Sequence, residues 1–197
     1  MSFWASLSIA LSMVAAAFAA EAPSPQVEEA RREAEAAADR LTSQLMAKLT
    51  AALAEGGPVQ AVGVCSDVAQ QLTTAASEKD RIAVRRTTLK YRNAVNAPDG
   101  FERAWLERAG RARALGEMPA PYAEVVVLPS GKRELRYLRP IIFPGGVCSQ
   151  CHGMPDEIPR GVAAVLRTRY PADRATGFKP GDLRGAVSVR VALPAHE

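Results

Sequence analysis

The segment Cys148-Ser149-Gln150-Cys151-His152 constrains this chain more than any other feature of its sequence. Its spacing, C-x-x-C-H, is the pattern that joins a haem covalently to a protein. The two thiols add across the vinyl groups of the porphyrin, and the imidazole of the histidine binds the iron axially. The motif therefore predicts one covalently attached haem c, with Cys148 and Cys151 as thioether residues and His152 as an iron ligand.

Two other uses of the cysteine pair stay open at this point. Cys148 and Cys151 could form a small disulfide, or they could supply half of a zinc site. A zinc site needs a second pair of ligands. Cys65 and His196 are the only other cysteine and histidine in the chain.

The first twenty residues have the character of an export signal. The run from Phe3 to Ala20 carries no charged side chain and contains Ala17-Phe18-Ala19, a small-x-small cleavage pattern. We expect residues 1–19 to be a signal peptide and the mature protein to be periplasmic. Because no Lys or Arg precedes the apolar run, an uncleaved anchor stays open as an alternative. Either arrangement places the rest of the chain where bacterial haem attachment takes place.

The charge balance does not point to a nucleic-acid partner. The net charge is +4, but the basic residues are not interleaved with aromatic side chains on which bases could stack. We therefore expect no nucleic acid among the partners. Part of the positive excess can serve to neutralise the two propionates that a haem brings.

The first half of the mature chain is predicted to be helical. Residues 26–55 contain no Pro or Gly, and their apolar side chains recur at helical spacing. Gly56-Gly57 ends this helix, and Pro58 begins a second one that runs to about Ala76. Its apolar face reads Val62, Cys65, Val68, Ala69 and Leu72. We divide the chain into a signal peptide (1–19), an N-terminal helix (20–57) and a haem domain (58–197).

The second half is predicted to be mostly strands. Ile82, Val84, Arg86 and Thr88 alternate along one face of a strand, and Asp99 to Glu102 has the spacing of a helix capping box. The runs 122–128 and 133–143 flank a Pro-Ser-Gly-Lys turn and predict a hairpin. A short helix follows Pro159, and a last strand carries Val187, Val189, Val191 and Leu193 on its inner face. The expected fold class is α+β, built around an antiparallel sheet.

The second axial ligand of the iron decides which functions are open. The only methionine after the motif is Met154, which is too near to reach around the ring, while His196 lies next to the terminus. Met46 and Met118 lie upstream and could simply be packing. Cys65 is an odd third cysteine, and an unpaired thiol in an exported protein needs a reason. Its helical spacing alone leaves iron ligand and core residue equally open.

Several segments together resemble a bacterial family of single-haem domains known as domain of unknown function 3365. The matching segments are 84–90, 92–93, 96–99, 137–141, 148–153, 170–173 and 181–189, within residues 59–191. The resemblance implies a PAS-like sheet that holds a c-type haem, with Cys65 and His152 as the two axial ligands. Relatives that precede a signalling kinase are regarded as redox or gas sensors. Because the given chain ends at Glu197 without a transmitter, we expect a free-standing domain.

A basic stretch supplies candidates for binding the propionates. Guanidinium groups pair bidentately with carboxylates, so we assign Arg85, Arg86, Lys90 and Arg92 to cofactor binding. Tyr137 and Tyr170 could each hydrogen-bond a propionate, or could be core residues. The alternative for the basic side chains is solvation, or pairing with Asp99, Asp173 or Asp182.

These observations favour a periplasmic redox or diatomic-gas sensor that signals to a protein partner, with homodimerisation through the N-terminal helix open. A membrane is expected only if the signal segment stays uncleaved. An electron carrier is the alternative. A peroxidase is disfavoured because it needs a distal acid-base group, and the chain has only two histidines. We predict that the protein is not an enzyme.

Overall fold

The computed structural model of the protein describes residues 23–64, 69–75, 77 and 81–194. The predicted signal segment, Cys65, Val68 and His196 lie outside the described residues. The helices are α1 (Pro25–Gly63), α2 (Ala69–Ala75), α3 (Gly100–Ala114), α4 (Ser149–His152) and α5 (Arg160–Arg169). The strands are β1 (Ile82–Thr87), β2 (Tyr122–Val127), β3 (Arg133–Ile142) and β4 (Leu183–Ala192). No helix within these ranges is long and apolar enough to cross a membrane.

Helix α1 is interrupted where the sequence predicts its end. Gly56 and Gly57 have non-helical backbone angles, and Gly57 has φ +67°, a conformation that favours glycine. Pro58 then begins a second helical segment, as expected from its fixed φ. The prediction of two consecutive N-terminal helices is confirmed for the described residues.

The four strands form one antiparallel sheet in the order β1-β4-β3-β2. The β2-β3 hairpin follows from the predicted turn, whereas the final strand β4 inserts between β1 and β3. Val187 lies opposite Arg86 on one side and Arg139 on the other. The predicted α+β class with an antiparallel sheet and a long N-terminal helix is confirmed.

The first part of α1 covers one face of the sheet through an alanine stripe. Ala30, Ala34, Ala37, Ala38 and Leu41 are buried at helical spacing. They pack against the alternating apolar side chains of three strands: Ile82, Val84, Leu135, Tyr137, Val187, Val189 and Val191. Because alanine side chains are small, the backbone of α1 can approach the sheet closely. The alanine-rich face of α1 and the strand side chains together form the largest buried cluster of the described residues.

The opposite face of the sheet is also covered, which the alternation in the sequence did not predict. Helix α3 packs Trp105, Leu106 and Ala109 against Leu138 and Ala186. As a result Ser188, which alternates with Val187 and Val189 along β4, is only 1% exposed. The alternation in β4 identifies the more apolar face but cannot reveal that a helix covers the other one.

Candidate cofactor site

The C-x-x-C-H motif forms a single helical turn at the end of a tight bend. Residues Gly146–Cys148 are a 3-10 turn, and α4 continues directly through His152. Gly145 has φ +74°, and a Cβ there would lie 2.7 Å from Cγ of Pro180. Because residues three and four apart share one face of a helix, Cys148, Cys151 and His152 are presented together.

The two cysteines lie against different apolar walls. Cys148 packs beside the buried cluster of Phe143, Ala175 and Phe178. Cys151 packs beside a second cluster, formed by Val62, Ile158, Val162 and Leu166. Both thiols are half-buried. The turn thus joins an aromatic wall that follows β3 to an aliphatic wall made by α5 and the end of α1.

The imidazole of His152 is held by a backbone carbonyl. Its Nδ1 atom lies 2.7 Å from the carbonyl oxygen of Ala175. Because a carbonyl can only accept a hydrogen bond, Nδ1 carries the proton, and Nε2 keeps the lone pair in the neutral ring. This is the arrangement in which a histidine binds a metal through Nε2.

The electrostatic surroundings keep this imidazole neutral. Burial has the largest effect, and the positive charges of Arg184 and Arg92 add to it, so the pKa of His152 lies well below its ordinary value. The hydrogen bond to Ala175 opposes this shift without cancelling it. A metal ligand must be deprotonated, and His152 meets that requirement at neutral pH.

The segment that carries Ala175 is joined to the motif by several backbone hydrogen bonds. The N–H of Gly177 donates to the carbonyl of Gly153 over 2.7 Å, and that of Phe178 donates to the carbonyl of His152 over 3.0 Å. The side chain of Arg92 spans the same junction, donating from Nε to Asp173 over 2.9 Å and from Nη2 to the carbonyl of Cys151.

A small cavity of about 40 Å³ lies beside His152. It is lined by three arginines and several neutral polar groups: Arg86, Arg92, Arg184, Thr88, Asn93, Asn96, Tyr170 and His152. Arg92 is 8% exposed, and among the described residues its Nη1 atom has no hydrogen-bond partner. A volume close to that of one water molecule suits a single carboxylate better than a ring.

This set of donors fits the chemistry of a haem. A neutral imidazole with Nε2 available provides an iron ligand, and the guanidiniums next to it, buried at Arg92 and half-buried at Arg86 and Arg184, provide partners for carboxylates. The cysteine pair stands in the attachment spacing beside apolar walls. Within residues 23–64, 69–75, 77 and 81–194 no three His, Cys, Asp or Glu side chains converge on a metal site. The zinc alternative needs Cys65 and His196, which lie outside these residues, so it stays open.

Only some of the predicted cofactor-binding side chains line this cavity. Arg86 and Arg92 line it with His152. Arg85 instead donates to the carbonyls of Val95 and Ala97 over 2.9 and 2.6 Å.

Lys90 and Tyr137 also lie outside the set that lines the cavity. Lys90 donates to the carbonyl of Thr176, and its Nζ lies 4.4 Å from the ring centroid of Phe178. Tyr137 is buried in the core beneath α1, where burial above all, with the nearby carboxylate of Glu35, raises the pKa of its hydroxyl.

Cys65 lies outside the described residues, but the residues before it are placed. Val62 is buried in the cluster beside Cys151, and Val64, immediately before Cys65, is 8% exposed. Val62 therefore places this part of the chain beside Cys151, whereas Val64 packs against Ala52 and Ala61. The predicted role of Cys65 stays a prediction.

Two elements of the site were not singled out from the sequence. Arg184 joins the cavity from the start of β4, 4.9 Å from the ring centroid of Phe178 and 3.3 Å from the hydroxyl of Thr88. In the sequence, Arg184 was marked only by its position in segment 181–189, one of the segments that carry the family resemblance. The carbonyl of Ala175 had no signal at all, because a backbone acceptor is independent of residue type.

Comparisons with known proteins agree with this fold. The family model described as Tll0287-like matches residues 20–192. A solved structure, "Crystal structure of the cyanobacterial heme-protein Tll0287", is similar with a TM-score of 0.64 and 24% identity, covering 89% of this chain and 100% of that one. No curated protein matches the chain. The more specific predictions of a PAS-like topology and of domain of unknown function 3365 stay predictions.

Proposed function

Since the chain belongs to the Tll0287-like family, we propose that it is a periplasmic haem protein that senses redox state or a diatomic gas and is not an enzyme. In this proposal Cys148 and Cys151 hold a c-type haem through thioether bonds. His152 and Cys65 would be the two side chains that bind its iron. The similar cyanobacterial protein is described as a heme-protein, in agreement with the cofactor proposed here.

The observation that carries this proposal is the hydrogen bond between His152 and Ala175. It occupies Nδ1 at 2.7 Å and leaves Nε2 as the only ring nitrogen that can bind a metal. The same histidine ends an attachment motif and borders a cavity lined by three arginines. A histidine that only packs in the core would need neither the cysteine motif nor the cavity lined by arginines.

When bound, the haem supplies an iron that changes oxidation state and can take up a diatomic ligand. The chain's own residues bind and orient this group. Arg86, Arg92 and Arg184 neutralise the propionates, while Phe143 and Phe178 exclude water from the side of Cys148. His152 donates electron density from a ring whose orientation is held by a backbone carbonyl.

The proposed role of Cys65 rests on chain connectivity and on the chemistry of thiols. Val64 is buried immediately before it, and Val62 packs in the cluster beside Cys151. A thiol that binds ferric iron loses its proton, and the resulting thiolate lowers the reduction potential. Reduction of the iron weakens its attraction for an anion, so this ligand can be released or displaced.

Release of Cys65 would act directly on α1. Ala61 in its second helical segment and Val64 immediately after it pack against Ala52 in the first segment, with Leu45, Leu49 and Leu53 beside them. A change of ligation would therefore alter the packing of the helical arm that leaves the sheet after Leu41. We propose that a partner protein reads the position of this arm, which makes it the two-state element of the sensor.

The test is the electron paramagnetic resonance spectrum of the ferric, haem-loaded protein beside two variants. Cys65→Ala removes the proposed ligand, whereas Val62→Ala shortens a buried neighbour that cannot bind iron. We expect a low-spin spectrum with the narrow g-spread of thiolate ligation in the wild type and in Val62→Ala, and its loss in Cys65→Ala. A high-spin wild type, or a spectrum unchanged in Cys65→Ala, would refute the proposed ligation.

One observation favours electron transfer as a second candidate function. Val147 and Met154, which flank the attachment motif, are 48% and 37% exposed. An apolar surface at the motif suits transient contact with a redox partner. Titration of the reduced protein with carbon monoxide separates the candidates. Slow binding with loss of thiolate favours sensing, no binding favours electron transfer, and immediate binding favours catalysis.

A further inference from the structure

Ala175 is held at both of its backbone polar groups. Its carbonyl accepts a hydrogen bond of 2.7 Å from the N–H at Nδ1 of His152. Its N–H donates to Oδ1 of Asp173 over 2.7 Å. Ala175 itself is 0% exposed. The Asp173 side chain therefore fixes the peptide unit immediately before the carbonyl that faces His152.

Asp173 is in turn fixed by a buried arginine. Nε of Arg92 lies 2.9 Å from Oδ2 of Asp173, and the two side chains are 6% and 13% exposed. Nη2 of the same guanidinium donates to the carbonyl of Cys151 and lies 3.5 Å from that of Ala175. Arg92 thus connects the attachment turn to the segment that orients its histidine. A charge-assisted pair shielded from water keeps a well-defined geometry.

We propose that Asp173 and Arg92 are positioning residues that hold the Ala175 carbonyl against Nδ1 of His152. The inference rests on the proposed function, because it assigns a purpose to this bond. A hydrogen bond from the second ring nitrogen raises the basicity of the nitrogen that binds a metal. The pair therefore sets how strongly Nε2 donates to the iron, although neither side chain touches it.

The variant Asp173→Asn tests this in the haem-loaded protein. It removes the charge partner of Arg92 and weakens the acceptor of the Ala175 N–H. We expect the Nδ1 proton of His152, followed by NMR in the reduced state, to exchange with solvent about tenfold faster, since a loss near 1.4 kcal/mol is a factor of ten. The reduction potential should rise, because a weaker donor and an uncompensated guanidinium both disfavour ferric iron.

Glu157→Gln is the matched control for charge alone. Its carboxylate lies close to the motif, because a Cβ on Gly153 would be 2.6 Å from its Oε2. It accepts from the N–H of Met154 over 3.0 Å, whereas the polar contacts of Ala175 and Arg92 described above involve other groups. We expect the proton-exchange rate in this variant to equal that of the wild type.

Arg92→Lys keeps the charge and removes the planar fork, so it separates geometry from electrostatics. We expect faster Nδ1 proton exchange here too, with a smaller change in potential than in Asp173→Asn. The proposal is overturned if either variant exchanges at the wild-type rate, or if Glu157→Gln accelerates exchange as much as Asp173→Asn. It is also overturned if the wild-type proton is unprotected, a result that needs no variant.

Failure of the proposed function gives a different result. If the wild-type protein matured in a periplasmic expression host carries no haem by the pyridine haemochrome assay, the assignment of the cofactor fails. The purpose assigned to the pair then fails with the cofactor, whereas unchanged proton exchange in a haem-loaded Asp173→Asn variant overturns the positioning role alone.

Discussion

The hydroxyl of Thr87 donates a hydrogen bond of 2.9 Å to Oε2 of Glu102, and both side chains are buried. The same Oε2 accepts the N–H of Asp99 over 3.0 Å and so completes a capping box. The other oxygen lies 3.7 Å from Nε of Arg85 and 3.9 Å from Nη2 of Arg136. One carboxylate thus connects β1, β3 and the start of α3.

Replacement of Glu102 is expected to destabilise the fold strongly. Glu102→Ala removes half of the capping box and leaves Thr87, Arg85 and Arg136 without this acceptor in a buried place. We expect a loss of about 3 kcal/mol in the free energy of unfolding. Urea denaturation measures it. Glu107→Ala, on the exposed side of the same helix, is the control and should change stability by less than about 0.5 kcal/mol. Equal effects in both variants would contradict the role assigned to Glu102.

Gly185 is expected to tolerate no side chain. A Cβ there would lie 2.4 Å from the carbonyl oxygen of Thr87, and its φ is +157°. Gly185→Ala must therefore push β4 away from β1, at a cost of about 2 kcal/mol or more. Gly100→Ala is the control, because a Cβ at Gly100 meets nothing within 4 Å. Thermal unfolding of both variants gives the comparison, and a Gly185→Ala variant as stable as wild type would contradict the register.

Asp99 is expected to contribute to the loss of stability in acid. Partial burial raises the pKa of its carboxyl, but hydrogen bonds from the Glu102 N–H and from Arg136 outweigh this, and the pKa lies below its ordinary value. The contribution is therefore present above about pH 4, the ordinary carboxyl value, and disappears as the pH falls through the lower folded pKa.

Asp99→Asn isolates this contribution, because asparagine also caps a helix. Between pH 5 and pH 3 the variant should lose less stability than the wild type. The difference should be about 0.5 kcal/mol, since the Asp99 side chain is 41% exposed. Urea denaturation across the pH series measures it. Asp156→Asn, at an exposed position, should follow the wild-type curve, and an Asp99→Asn curve parallel to wild type would disprove the assignment.

Arg184 is expected to raise the reduction potential of the haem iron. If the three arginines of the cavity face the haem, Arg184→Gln should lower the reduction potential, because one positive charge fewer favours ferric iron. The change in the free energy of reduction should be on the order of 1 kcal/mol. Spectroelectrochemistry measures it. Arg103→Gln, on the exposed face of α3, is the control, and a potential equal to wild type in Arg184→Gln would remove this residue from the site.

Local patterns in the chain determined much of what the structure contains. The break at Gly56-Gly57, the capping box at Asp99 and the alternation in β4 each depend on residues within a few positions of one another. Backbone angles and side-chain periodicity act over that range, so the sequence alone predicts them. The same alternation puts Arg86 on the face of β1 that carries Ile82 and Val84, and the continuous register of β1 with β4 agrees with this.

Tertiary structure decided which distant groups meet at His152. The carbonyl of Ala175, the pairing of Arg92 with Asp173 and the approach of Arg184 all join residues far apart in the chain. Burial of Ser188 likewise depends on α3 lying across the sheet. Arg184 reaches this site from β4, which inserts between β1 and β3, and such long-range contacts depend on packing over the whole core. Because no short segment contains the information for these long-range contacts, the sequence by itself determined the C-x-x-C-H motif and its place in the chain, and only the fold decided which groups surround His152.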